Sequence, residues 1–463
     1  MADVFNHFIN EDMYPVLDEE GAVERLSRAV RFRTVNTGGK RSNDAEFEGL
    51  NKLIMTSYPN IMSAGSVEMI GRSVLITIPG SDPGLKPCLY MSHQDVVPVV
   101  EGTEDNWTYP PFSGEIAEGA VWGRGTLDIK NMVFGILEAA EYILSSGAKF
   151  RRTAFLAFGD DEETFNLGAK SIAETLRDRG VELEYVLDEG GGVISDASSF
   201  GAPGVFVAAV DIMEKGYADL ELSVKSIGGH SSNPFGGSSL EKISRAITEI
   251  ADDPFPVSLP DPVRKALEIL APYITADPFR ELVGDIQGNA EKIAEIMYQQ
   301  PETFAYVTTT IAPTMIDGGS SACNVLPQDM TAVINFRINQ GTSAEHVMEH
   351  CREAVSSSDI SLRFLQSNDP SAVARTDGFG FRMLSEAAKE FYKDMVLVPC
   401  MSTGATDACR YEIICDTCLR FGPFLAEPED VESGVHGTDE HIPVRSYLQG
   451  IRFLIHMMEL SNI

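Results

Sequence analysis

The chain has 463 residues, 43% of them hydrophobic and 23% charged, which excludes a disordered or fibrous chain and is too long for one compact core. A formal net charge of -33 argues against nucleic acid or an anionic membrane as a partner and is read here as solubility. Residues 1–7 lack a basic n-region and no run approaches the roughly 18 apolar residues of a membrane span, so the expected location is cytoplasmic.

In chain order, strand-like apolar runs alternate with amphipathic helical ones: a strand at 86–92, a helix at 131–145, a strand at 153–158, a helix at 167–179 and a strand at 184–187. This alternation predicts a parallel α/β sheet with helices on both faces, and such sheets bind ligands at the carboxyl ends of their strands. From about Glu214 the texture changes to strands at 217–227, 304–312 and 330–338 with helices at 240–251 and 343–356, which suits a smaller α+β unit with a half-exposed antiparallel sheet. A Pro-rich segment at 253–262 introduces a helical insertion at about 263–299. After 367–370 the α/β texture resumes and closes with a helix at 442–460. The expected organisation is a first domain in two parts, 1–213 and 368–463, interrupted by a second at 214–367. Seven cysteines, an odd number, argue against a disulfide framework, and the lone CxxC of Cys415 and Cys418 is read as structural.

Chemistry concentrates at the ends of the strands. His93 and Asp95 fall on one side of an extended segment, so the Asp95 carboxylate can accept a hydrogen bond from the imidazole nitrogen not used for metal. A buried, satisfied histidine is the competing reading. Asp128 sits in a Gly-rich loop leading into a helix, where one carboxylate can bridge two cations about 3.5–4 Å apart or simply cap the helix. Asp160, Asp161, Glu162 and Glu163 follow an apolar strand and would repel one another unless cations bind there; a solvated loop fits poorly at that place. Adjacent Glu162 and Glu163 point in different directions, so one can hold a metal while the other faces substrate. Asp188 and Glu189, before three glycines, repeat the arrangement, and His436 stands in a distant turn.

Taken together and in this order, SHQDVVP (92–98), WGRGTLDIK (122–130), GDDEE (159–163), LDEGG (187–191), EKGY (214–217), GGHSS (228–232), NVLP (324–327), NFR (335–337), TGATDA (403–408) and HGTDEH (436–441) resemble the M20 metallopeptidase family, nearest its carboxypeptidase S and N-acyl-amino-acid hydrolase branch. The resemblance runs from about residue 22 to 458. It implies a two-domain α/β fold, with a mixed or parallel sheet flanked by helices and an inserted α+β lid and dimerisation domain. By position it implies that His93 and Glu189 ligate one metal, Glu163 and His436 the other, and Asp128 bridges both. Asp188 remains the alternative to Glu189. Glu162 would be the general base and Asp95 would orient His93. Such a ligand set suits two divalent cations, Zn²⁺ first and Mn²⁺ or Co²⁺ also.

By the same resemblance His230 would reach the active site of a partner subunit in a homodimer and polarise the scissile carbonyl. Asn324 and Arg337 would meet the substrate, Arg337 holding its free carboxylate, and Thr406 and Asp407 would line the site. The implied reaction is hydrolysis of an amide bond next to a free carboxylate, in a dipeptide, at a C-terminal residue or in an N-acyl amino acid. Asp160, Asn166, Ile129 and His441 depart from the family pattern without removing a ligand. A two-metal phosphoesterase would use similar ligands but want Lys or Arg in the ligand loops, which are acidic here. A catalytically silent metal-binding protein would have lost a ligand or the base, and every such position is filled. His7, His346, His350 and His456 match no motif and read as structural or solvent-exposed.

Overall fold

The computed structural model describes residues 13–37, 40–164, 166–194, 196–425 and 434–462. Residues 1–7, read above for a leader and including His7, lie outside them. Three apolar strands form the centre: Cys88–His93, Ala154–Gly159 and Tyr185–Asp188, each buried at every position. Strands without alternation need cover on both faces, which is how parallel sheets are built. They are neighbours in a nine-stranded mixed sheet ordered Ser66–Ile70, Ser73–Ile78, Ala154–Gly159, Cys88–His93, Tyr185–Asp188, Cys418–Arg420, Phe206–Glu214 and Met395–Ser402, with Gly192–Ile194 beside Phe206–Glu214. The central pairs are parallel and in step, His93 opposite Gly159 and Arg420 opposite Asp188. Their carboxyl ends therefore share one edge.

One face is covered by helices Lys130–Ser145, Val444–Asn462, Glu19–Val30 and Phe379–Phe391, around Phe134, Leu156, Leu187 and Phe453. Lys130–Ser145 is buried at every position to Ala140, the charged Lys130 and Glu138 included. The other face is covered by Leu167–Asp178 and the 3₁₀ helix Asp407–Ile413, around Leu89, Ile172 and Tyr411.

A second sheet has its own core. Thr310–Gly318, Asp329–Ile338, Gly216–Lys225 and Ser361–Asn368 pair antiparallel in that order. Gly216–Lys225 and Asp329–Ile338 alternate buried and half-buried residues, and the buried side rests on helices Ser239–Ala251 and Ala344–Ala354 around Leu220, Leu222, Ile334 and Phe336. The chain enters this sheet through Lys215 and leaves it after Asn368. The two crossings touch: a Cβ on Gly216 would fall 2.6 Å from the Asn368 carbonyl, so only glycine fits there.

One element differs in type from the sequence expectation. The strand expected at 304–312 is a helix, Pro301–Val307, followed by the strand Thr310–Gly318. Pro301 suits the first helical turn, and Val307 is buried in a helical cluster, so packing overrides the local β-propensity of the segment. The insertion helices Asp261–Leu270 and Ala290–Tyr298 cover the edge of the large sheet, where Val263, Leu267, Ile293 and Met297 share a core with Val207, Ala209 and Val398. No helix among the described residues is long and apolar enough to cross a membrane.

Candidate metal centre

Four loops at the shared sheet edge bring five donors together. His93, the last residue of its strand, places Nε2 3.2 Å from Asp128 Oδ1 and 3.2 Å from Glu189 Oε1. His436 places Nε2 3.0 Å from Asp128 Oδ2 and 3.2 Å from Glu163 Oε1. The two oxygens of Asp128 thus face different imidazoles. The candidate ligand atoms form two groups, His93–Asp128–Glu189 and Asp128–Glu163–His436, each within 4.8 Å. Helix capping is not the task of Asp128, because Ile129 is the N-cap of Lys130–Ser145.

Crowding of these groups perturbs their ionisation. Burial pushes Glu189 up to about 7 against the pull of His93, and burial likewise holds Glu162 well above the ordinary carboxylate range. Burial works against ionised Asp128, yet hydrogen bonds with His436 and His93 carry it below its ordinary value. Hydrogen bonds with Asp128 and Glu163 push His436 up to about 10. Three carboxylates beside two imidazoles are a donor set that divalent cations fit, since cations would stabilise the ionised oxygens in place of protons.

Partners remote in sequence hold the donors in place. The backbone carbonyl of Asp95 lies 2.9 Å from His93 Nδ1, closer than its carboxylate at 3.4 Å. That carboxylate instead accepts from the backbone N–H groups of Glu162 (3.0 Å) and Glu163 (3.2 Å), tying the acidic loop to the histidine strand. Glu440, fully buried, accepts from the N–H groups of Gly125, Leu127 and Asp128 at 2.8–3.1 Å and pairs with Arg124 at 2.6 Å. Arg124 also donates to the carbonyls of His436 and Gly437, so one ion pair joins the loops of Asp128 and His436. Asp188 turns away from the donors and accepts from the Glu189 N–H at 2.9 Å.

The acidic run is half neutralised from within, which corrects the argument from repulsion. Arg72 pairs with Asp160 (2.9 Å) and Arg41 with both Asp160 (3.2 Å) and Asp161 (3.1 Å), leaving Glu162 and Glu163 to face the cleft. The two departures Asp160 and Asn166 are thereby explained: Asp160 holds the arginines, and Asn166 donates to Asp407 at 3.1 Å. Arg41, Arg72, Arg124 and Glu440 carry no metal-like signature in sequence. Glu440 and Arg124 could have been found, since they lie inside HGTDEH and WGRGTLDIK with no role given to them.

The donors open on a cleft of about 430 Å³ lined also by Glu162, Tyr217, Arg337, Gln366, Thr406 and Arg410. Thr406 is fixed by Glu214, which accepts from its N–H (3.1 Å) and hydroxyl (2.9 Å) and from the buried Arg420 (2.7 Å). Asp407 lies behind the lining, buried. His230 and Asn324 are not in the cleft. His230 lies in a two-stranded ribbon, Gly229–His230 against Val325–Leu326, exposed with Nδ1 2.8 Å from the Ser232 hydroxyl, and Asn324 immediately precedes the second strand.

Residues 89–460 match the model of "Peptidase family M20/M25/M40". Human "N-fatty-acyl-amino acid synthase/hydrolase PM20D1" is 32% identical over 450 residues, covering 95% of this chain and 87% of that protein. Carboxypeptidase S of Saccharomyces cerevisiae is 30% identical over 505 residues, covering 98% and 86%. Among solved structures, the M20 metallo-carboxypeptidase Sso-CP2 of Sulfolobus solfataricus aligns with a TM-score of 0.70 at 17% identity, over 95% of this chain and 99% of that one. Human carnosine dipeptidase 1 aligns with a TM-score of 0.66 at 17% identity, over 98% and 99%.

Proposed function

The chain belongs to peptidase family M20/M25/M40 and is a metal-dependent peptidase or amidohydrolase, and from that premise we propose that it hydrolyses an amide bond adjacent to a free carboxylate at a centre of two divalent cations, Zn²⁺ in the first place. His93 and Glu189 would hold one cation, Glu163 and His436 the other, and Asp128 both. The observation that carries this reading is the position of Asp128, each of whose oxygens lies within 3.2 Å of a different imidazole.

When bound, the cations would lower the pKa of water towards neutrality and polarise the carbonyl. The chain's own groups do the rest. Glu162 lines the cleft and its carboxyl is raised by burial, so it is placed to take a proton from the attacking water and return it to the leaving amine. The Asp95 carboxylate holds the backbone from which Glu162 projects. Arg337, beside Tyr217 in the cleft, binds the substrate carboxylate as a planar fork.

The second sheet, 214–367, serves as a lid and dimerisation unit in this account, and His230 and Asn324 act on the cleft of a second copy. Their exposure on the ribbon, outside their own cleft, supports that placement. A cytoplasmic setting is supported by the free thiol state of all seven cysteines. The test is turnover of dipeptides and N-acyl amino acids by metal-stripped protein, before and after adding Zn²⁺, Mn²⁺ or Co²⁺, with Glu162→Gln as control. Metal-restored cleavage that the variant lacks is the expected outcome; cleavage undiminished by stripping or by the substitution would overturn it.

A further inference from the structure

Arg410 is a cation with no assigned task. It lies in the middle of the 3₁₀ helix Asp407–Ile413, just after the TGATDA motif, lines the same cleft as Arg337, and is half-buried. Its Nε is shielded from solvent and makes no hydrogen bond, and among the described residues its guanidinium forms no ion pair. Arg337 likewise has no acidic partner there and lies 4.8 Å from the centroid of the Tyr217 ring. In a chain of net charge -33, two unpaired guanidinium groups in one cleft are unusual, since other buried arginines such as Arg124 and Arg420 have their carboxylates. A guanidinium held in a partly desolvated place without a partner is a site for an incoming carboxylate.

The rest of the cleft agrees. Beyond the metal donors it presents Thr164, Asn166, Gln366 and Asn368, and no Leu, Ile, Val, Met or Phe lines it among the described residues. A long acyl chain would bury its methylenes against such side chains. Here it would meet mainly amides and hydroxyls, with Tyr217, Ala405 and Cys409 the less polar exceptions.

We propose that Arg410 forms a second carboxylate subsite beside that of Arg337, so that the preferred substrate is an amide bearing two carboxylates. This rests on the hydrolase reading above and narrows it. Two substrate types share that chemistry: a peptide ending in Glu or Asp, with the second carboxylate on the released amine, and an N-succinyl-type amide, with it on the acyl side. In either, water adds across the C–N bond to give one acid and one amine.

The experiment compares kcat/KM for Ala-Glu against Ala-Gln and for N-succinyl-leucine against N-butyryl-leucine, using metal-loaded wild type, Arg410→Gln and Arg410→Lys. The dianionic member of one pair should be favoured by about tenfold or more, the ratio should collapse in Arg410→Gln, and part should return in Arg410→Lys. Equal rates within both pairs, or a ratio untouched by Arg410→Gln, would overturn the subsite. Calorimetric titration of glutarate against butyrate reads the same site without turnover, and metal content with thermal melting shows that the variants fold. Glutarate preference that depends on Arg410 in a protein that cleaves nothing would retain the subsite and reject the hydrolase; cleavage without any dianion preference would do the reverse.

Discussion

At the carboxyl edge of the nine-stranded sheet each candidate metal ligand is held by something behind it, whereas at the tip of the four-stranded sheet His230 and Asn324 stand in solvent. The edge is built from strand ends whose register is fixed by buried pairing, and its loops are cross-tied by Asp95, Glu440 and Arg124. The tip has a ribbon of two residues per strand, and Ile227 and Phe235 around it are each 96% exposed. The five candidate donors are thus brought together within one chain, while His230 and Asn324 lie outside its cleft and, on the proposed reading, would serve a second copy.

Substitutions at the edge and at the tip separate the two regions. The largest effect is expected at the edge: Glu162→Gln should keep the bound metal and lose about 10²–10⁴ in kcat, read by metal analysis beside steady-state rates. Next comes the tip. His230→Ala should lose about 10²–10³ in kcat without changing metal content, as for removal of one oxyanion donor. Mixing that variant with Glu162→Gln should then restore activity, because a mixed dimer would join an intact base to a partner's intact histidine; no recovery after subunit exchange would place His230 in its own chain's service or none.

A smaller effect is expected behind the donors. Glu440→Gln should weaken metal affinity by about 10–100-fold, since Glu440 touches only the loop that presents Asp128 and the arginine that holds His436. Unchanged affinity in a competition titration would mean that the loops hold themselves. The smallest is thermodynamic: saturating metal should raise the melting temperature, worth about 2.7 kcal/mol at a hundredfold excess over Kd, and His93→Ala should abolish the rise.

Much of the edge was legible in sequence because strand ends and motifs coincide there: the strand expected at 86–92 is Cys88–His93, and that at 184–187 is Tyr185–Asp188. What escaped was long-range. Nothing local announces that Arg41 and Arg72 neutralise Asp160 and Asp161, or that the Asp95 carboxylate spends itself on the N–H groups of Glu162 and Glu163, because those contacts exist only after the sheet has formed. The helix Pro301–Val307 escaped for the converse reason, a β-prone sequence overruled by the cluster that buries Val307.

The most direct test is anomalous diffraction from crystals loaded with Zn²⁺. Two peaks are expected about 3.5–4 Å apart, one on each side of Asp128, the first beside His93 and Glu189 and the second beside Glu163 and His436. A single peak, or two peaks that leave Asp128 bound to only one of them, would contradict the proposed two-cation centre.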